Sequence, residues 1–324
     1  MPHWKLILAY DGTPYNGWQV QPNLPTVQGT LAGAIHRITG ETVLPQGSGR
    51  TDTGVHALAQ VATFSLTVPI PAANLHRALN RALPASIRVL SVEAVPEQFH
   101  ARHSALRKTY EYRILPCGND DRICSPMLAP YVWPCRFSLD LAILQQAASH
   151  ILGTHDFTSF AASDPDQATR NAAHLKTIED KSADATSSPQ NGERSAIQGE
   201  DSGVSRSSES NVSGESNVIS TGGGALAAAV EKSASLPPLS TIPVDNIRTI
   251  HHSTWRQQDD LLIYRITGSG FLHHMVRNLV GTFVEAAAHR ISPDAIPTIL
   301  AARNRSAAGP TAPASGLFLV EVEY

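Results

Sequence analysis

Cysteine is the scarcest signal in this chain: Cys117, Cys124 and Cys135 are all that 324 residues contain. The number is odd and no two form a CxxC pair. That argues against a disulfide framework and against a zinc ribbon, and it fits a reducing cytoplasm. Aromatic residues are also sparse, at 6%, and charged residues make up only 16%. No apolar run is long enough to cross a bilayer. The opening "MPHWKLILAYDG" has too few apolar residues before its turn to read as a secretory signal. What is present is 42% hydrophobic residues, enough to build a core for one large or two ordinary domains.

A positive excess is missing too. The formal charge is −3, which argues against a nucleic-acid partner if charge is spread evenly. It is not. From Ser163 to Pro243 the text is rich in Ser, Gly, Asn and Ala and nearly free of aromatics, with 11 acidic residues against 6 basic. Such a composition cannot bury enough apolar surface to offset chain entropy, so disorder is expected there. The remainder holds 17 acidic and 19 basic residues, a net of +2, with most of the histidines. A local basic groove is therefore permitted.

Periodicity outlines the elements. "WKLILAYDG" reads as a strand ending in a turn. "TVQGTLAGAIHRITG" puts Val27, Leu31, Ile35 and Ile38 on one helical face, between an N-cap at Thr26 and a stop at Gly40. A short strand at Thr42–Leu44, a strand in "QVATFSL", a helix in "PAANLHRALNRAL" and a strand in "IRVLSVEAV" complete a first unit. The second part repeats the theme: a strand in "RKTYEYRIL", a helix in "LDLAILQQAASHILG", a hairpin turning at Gln258–Asp260, a helix over "FLHHMVRNLVGTFVEAAAHR", a short helix after Ser292-Pro293, and a last strand in "GLFLVEVEY". The expected fold class is α+β: two ferredoxin-like halves with antiparallel sheets around a central cleft and helices on the outer faces. The halves are residues 1–104, carrying the Gly-rich loop, and 105–324, interrupted by the low-complexity insert at about 163–243. A cleft between them is the default seat of chemistry.

Within that loop, "GSGRTDTGVHA" contains Asp52 in an Asp-Thr-Gly triplet, the signature of aspartic proteases. The protease reading fails, because such carboxylates work as a proton-sharing pair and the motif occurs once. Arg50, two positions away, also favours an ionised carboxylate over a shared proton. A phosphate cradle fits no better, since Gly47-Ser48-Gly49 lacks the GxxxxGKS spacing. The plainest alternative is a turn in which Asp52 bonds its own backbone.

The surrounding words tip the balance. "GSGRTDTGVHALAQVATF" resembles the central motif of the tRNA pseudouridine synthase family that modifies the anticodon stem-loop (the TruA type). "AYDGTPYNGWQVQP", "FHARHSALRKTYEYRI", "GTHDFTSF", "GSGFLHHMVRNLVGT" and "AAGPTAPASGLFLVEVEY" resemble its other motifs, in order. The resemblance implies the pseudouridine synthase fold and isomerisation of uridine at positions 38, 39 and 40 of tRNA. It implies a homodimer, a cytoplasmic location, no cofactor and no metal. It makes Asp52 the catalytic carboxylate, Arg50 the residue that orients it, and Tyr110 a stacking platform and proton-transfer group. Phe99, His100, Ala101, Arg102, His103 and Arg277 become substrate contacts, and Asp164, Pro165, Asp166, Gln167 and Ala168 occupy a further tRNA-contact position. Asp52 attacks C1′ or C6, or removes a proton from C2′; all three routes need its carboxylate form. One carboxylate suffices because uracil leaves as a delocalised anion, unlike the poor leaving group of a glycosidase. Two other functions stay open on the residues alone: an idle RNA-binding module, and a hydrolase pairing Asp52 with Asp11 or Asp156. Adjacent His273 and His274, if helical, diverge by about 100° and make a poor metal pair.

Overall fold

A computed structural model describes residues 1–118, 122–162 and 246–324. The expected disorder of the insert and the contacts expected of Asp164, Pro165, Asp166, Gln167 and Ala168 lie outside the described residues.

Strand β1 (His3–Tyr10) buries every second residue, so Trp4, Leu6, Leu8 and Tyr10 face the core. It pairs antiparallel with β3 (His56–Ser65) on one side and β4 (Ile87–Val95) on the other. Helix α1 (Val27–Thr39) starts where the Thr26 hydroxyl accepts the Gly29 N–H, 3.2 Å away, and stops at the left-handed Gly40. Helix α2 (Ala72–Ala82) buries Leu75 and Leu79 and packs on β4. The short strand β2 falls at Gln46–Gly47, against β3, rather than at Thr42–Leu44 as the pattern suggests.

The later part supplies β5 (Arg107–Pro116), β6 (Trp133–Cys135), β7 (Gly153–Asp156), and the hairpin of β8 (Ile247–Gln258) and β9 (Leu261–Gly268). Asp140 caps α3 (Leu141–Ser149) by accepting the N–H groups of Ala142 and Ile143. Helix α4 (Met275–Ala287) is the most deeply buried, with Leu279, Val280 and Phe283 fully enclosed. Truncating such a leucine to alanine costs roughly 2–5 kcal/mol. Helix α5 (Ile296–Ala302) follows Ser292-Pro293 after one 3₁₀ turn, and β10 (Leu317–Glu323) ends the chain.

One sheet unites these strands in the order β4-β1-β3-β10-β5-β9-β8-β7. The fold is α+β, but the sheet is mixed, which corrects the antiparallel expectation. Strand β10 runs parallel to β3, and β6 parallel to β5; the other pairings are antiparallel. Parallel pairing needs a long crossover, and β10 lies more than 250 residues beyond β3. It inserts between β3 and β5 and so joins strands from both sides of residue 104. No described helix is long and apolar enough to cross a membrane.

Candidate active site

Asp52 stands on a tight turn between β2 and β3, closed by the Val55 N–H donating to the Asp52 carbonyl at 3.1 Å. The opening motif "AYDGTPYNGW" supports this turn. Trp18 N–H donates to the Thr51 carbonyl (3.0 Å), Gly54 N–H to the Tyr15 carbonyl (3.3 Å), and the Tyr10 and Thr51 hydroxyls meet at 2.8 Å. Gly17 has φ +82°, and a Cβ there would stand 2.5 Å from the Thr51 carbonyl oxygen, so only glycine allows this contact. The preceding residues are pinned as well. The Gln60 amide donates to the Gly49 carbonyl (2.9 Å) and the Lys108 ammonium to the Ser48 carbonyl (2.6 Å). The Asp52 backbone is thus held, while its side chain turns away from its own turn.

That side chain meets helix α4. Arg277 Nη1 donates to Asp52 Oδ2 at 2.9 Å, and its Nε donates to the Ala312 carbonyl at 2.8 Å. Both sides of this contact are built in. Gly281, one turn along α4, lets residues 310–312 press against the helix: an added Cβ would lie 1.7 Å from the Pro310 oxygen. The buried Asn278 donates to the Phe160 carbonyl (2.7 Å) and accepts from Thr311 (2.6 Å) and Arg305 (3.1 Å). Asp52 is 20% and Arg277 15% exposed, so a substrate can reach the carboxylate while the ion pair is shielded from salt.

His273 and His274 complete the cluster. The helix starts at Met275, four residues later than the pattern predicts, because His274 takes a left-handed backbone (φ 59°) and the Ala162 N–H caps the His273 carbonyl at 3.0 Å. Off the helix, the two rings lie side by side, centroids 4.0 Å apart at 34°. His273 Nε2 is 3.5 Å from Asp52 Oδ1 and His274 Nε2 is 3.3 Å from Oδ2. Burial is the main cause that lowers the His274 pKa; the Asp52 charge opposes it, and His273, Arg277 and Arg305 add to the lowering. Among the described residues, Asp52, His273 and His274 are the group whose donor atoms could share a metal ion, all within 4.8 Å. The helical argument against joint ligation therefore falls.

Tyr110 is buried on β5, 7% exposed, with its ring edge-on to Phe271 at 5.1 Å. Burial above all, then the neighbouring Tyr10 and Asp52, raises its pKa well beyond the usual phenol value. Its hydroxyl lies 4.0 Å from where a Cβ on Gly49 would stand, so it flanks the loop that carries Asp52. Tyr112, at the same parity, is a core residue whose hydroxyl donates to the Pro313 carbonyl at 2.7 Å. Lys108 is pushed down to about 8, chiefly by burial and then by the charges of Arg102 and Arg248.

The remaining expected contacts divide. Arg102 and His103 are exposed, and the His100 ring lies 4.4 Å from that of His103, tilted by 50°, while its Nδ1 accepts the Arg102 N–H at 3.0 Å. Ala101 is fully buried and its carbonyl accepts from Tyr324 at 2.7 Å. Phe99 packs on Tyr324 at 4.8 Å. These two anchor the segment, and the Ala101 side chain is unavailable to a ligand. Arg50 is exposed. The guanidinium of Arg277 grips Asp52 in this structure. Asp11 and Asp156 are both engaged elsewhere, with Thr13 and Tyr131 and with Thr158 and Arg303. Sequence reasoning named the histidine pair but set it aside as helical, and it missed Asn278. The signal for His274 was the FLHH step itself, read as continuous helix.

A carboxylate held by an arginine from a distant helix and flanked by a buried tyrosine on a mixed α+β sheet defines an enzyme-like site. Comparison with known proteins makes the class specific. The pattern of the family described as tRNA pseudouridine synthase matches residues 6–104 and 240–324, and the chain belongs to that family. It is 39% identical over 320 residues to tRNA pseudouridine synthase A of Solibacter usitatus, covering 99% of this chain and 98% of that protein. The protein of the same name from Moorella thermoacetica is 36% identical, with 100% of both chains covered. That of Maridesulfovibrio salexigens is 34% identical over 99% of this chain and 89% of its own.

Proposed function

We propose that this chain is a tRNA pseudouridine synthase that isomerises uridine at positions 38, 39 and 40 of the anticodon stem-loop. The observation that carries the reading is the Asp52–Arg277 pair: a reachable carboxylate, 2.9 Å from a guanidinium, on a rigid turn, in a chain of this family. Asp52 acts on the ribose or base of the flipped nucleotide, by one of the three routes above. Arg277 orients the carboxylate while the glycosidic bond breaks. The buried phenol of Tyr110 stays neutral, which suits a stacking platform and hydrogen-bond donor better than a base. Arg50, two residues from Asp52, helps to orient it, and the exposed Arg102 holds the RNA backbone and helps offset the few kcal/mol that base extrusion costs. His100 and His103 lie beside Arg102 and extend that surface. The ferredoxin-like halves, 1–104 and 105–324, with a cleft between them, the homodimer spanned by one tRNA, and a cytoplasmic location are part of the same reading; the family supports them.

The test is tritium release from tRNA labelled at uridine C5, with Asp52→Ala as control. Isomerisation exchanges the C5 hydrogen and predicts release that the variant loses. Free uracil would point to a hydrolase, and binding without release to an idle RNA module.

A further inference from the structure

Two imidazole nitrogens approach Asp52 at 3.5 and 3.3 Å. A good N–H···O hydrogen bond is about 2.9–3.0 Å long, and Arg277 achieves that on the same carboxylate at 2.9 Å. The histidines stand farther off. Taken one per residue, the donor atoms of the three side chains lie within 4.8 Å of one another; ligands about 2.0–2.1 Å from a tetrahedral ion lie roughly 3.3–3.4 Å apart, so a small inward rotation of the side chains closes the site. We propose that Asp52, His273 and His274 bind one divalent transition-metal ion of the zinc class, and that the ion competes with RNA for the Asp52 carboxylate.

The local structure favours this set. Consecutive residues on a helix cannot share an ion, but the left-handed backbone of His274 brings the rings 4.0 Å apart, with both Nε2 atoms turned toward one carboxylate. The donor atoms converge within 4.8 Å, and all three residues are partly open to solvent. Two nitrogens and one oxygen suit zinc; magnesium and calcium prefer oxygen. Three protein ligands leave a fourth position for water. A carboxylate offers about four lone pairs; Arg277 uses one on Oδ2, so its charge weakens the site without filling it. Each imidazole would ligate through the Nε2 lone pair and carry its proton on Nδ1. No bond to carbon forms or breaks, and the consequence is simply that a metal-bound Asp52 cannot reach the nucleotide.

The experiment uses the full chain without RNA, stripped of metal, with zinc titrated against a chromogenic chelator. One equivalent should bind, and excess magnesium should not displace it. His273→Asn and Asp52→Asn should each weaken binding by at least tenfold, and so should His274→Asn, where asparagine tolerates the left-handed backbone. Circular dichroism checks that each variant is folded. Unchanged affinity and stoichiometry in all three folded variants would overturn the proposal by assigning zinc to other histidines or to the cysteines. So would the absence of zinc binding in the wild type. A second arm follows tritium release: zinc should inhibit, and added tRNA should relieve the inhibition. The binding arm contains no RNA, so its outcome is independent of the isomerase assignment.

Discussion

Two carboxylate–histidine clusters flank the same short stretch of chain, and they differ in how completely their hydrogen bonds are used. At one end, His56 is buried and stacked on Phe318 at 4.7 Å. Its Nδ1 accepts the Gly12 N–H at 3.0 Å and its Nε2 donates to the Pro130 carbonyl at 2.9 Å. Asp11, 3.3 Å from that Nδ1, accepts from Thr13 and Tyr131. With Nδ1 already an acceptor, His56 is neutral and its approach to Asp11 is no ion pair. At the other end, among the described residues, Asp52 takes one close bond, from Arg277, and two loose approaches from His273 and His274. A saturated cluster holds a fold together; an unsaturated one keeps capacity for a ligand. The three residues between Asp52 and His56 separate reactive from structural chemistry.

Breaking each end should give different symptoms. Short of removing Asp52 itself, the largest effect is expected at Arg277. Arg277→Met should lower single-turnover isomerisation by roughly 10²–10³-fold, the usual cost of one charged donor at a reacting site. Arg277→Lys should recover part of this, because it keeps the charge but not the two-point grip on Asp52 and Ala312.

At the saturated end the readout is stability. His56→Ala leaves the Gly12 N–H and Pro130 oxygen without partners and empties the stack on Phe318. A loss of about 3 kcal/mol is expected, measured by denaturant titration. Asn278→Ala, which removes a hub of three hydrogen bonds, one of them fully buried, but no stacked ring, should cost about 2 kcal/mol. It should also loosen the start of α4 and therefore raise KM for tRNA.

The smallest effect is pH-dependent. Burial lowers the His56 pKa, with the Asp11 charge and the Pro130 bond opposing it. The unfolded chain, with His near its ordinary value of about 6.5, therefore takes up the proton first as pH falls. This contribution to stability is fully present above about pH 6.5 and declines as pH drops from there toward the folded-state pKa. His56→Gln, which does not titrate, should show a flatter thermal-stability profile across that window than the wild type.

The two clusters also differ in how legible they were. Strand alternation in β1 and the caps at Thr26 and Asp140 are local, so periodicity and capping chemistry reveal them. The turn bearing Asp52 stood out for its Gly-rich text. Its pairing with Arg277 did not: that residue, singled out through the family resemblance alone, is 225 residues away, and no local rule links the two. The start of α4 was misjudged because Phe271 and Leu272 continue the apolar period, while the left-handed His274 depends on a contact with Ala162. The central position of β10 was hidden for the same reason, since its parallel pairing with β3 involves only Phe318–His56 and Leu319–Ala57.

The most direct test sets the two carboxylates side by side: tritium release from C5-labelled tRNA by Asp52→Asn and Asp11→Asn, normalised to folded protein. Asp52→Asn should release nothing above background, while Asp11→Asn keeps the wild-type rate to within about tenfold, as a stability variant does. Equal loss in both, or release that survives in Asp52→Asn, would contradict the assignment of the chemistry to the unsaturated cluster.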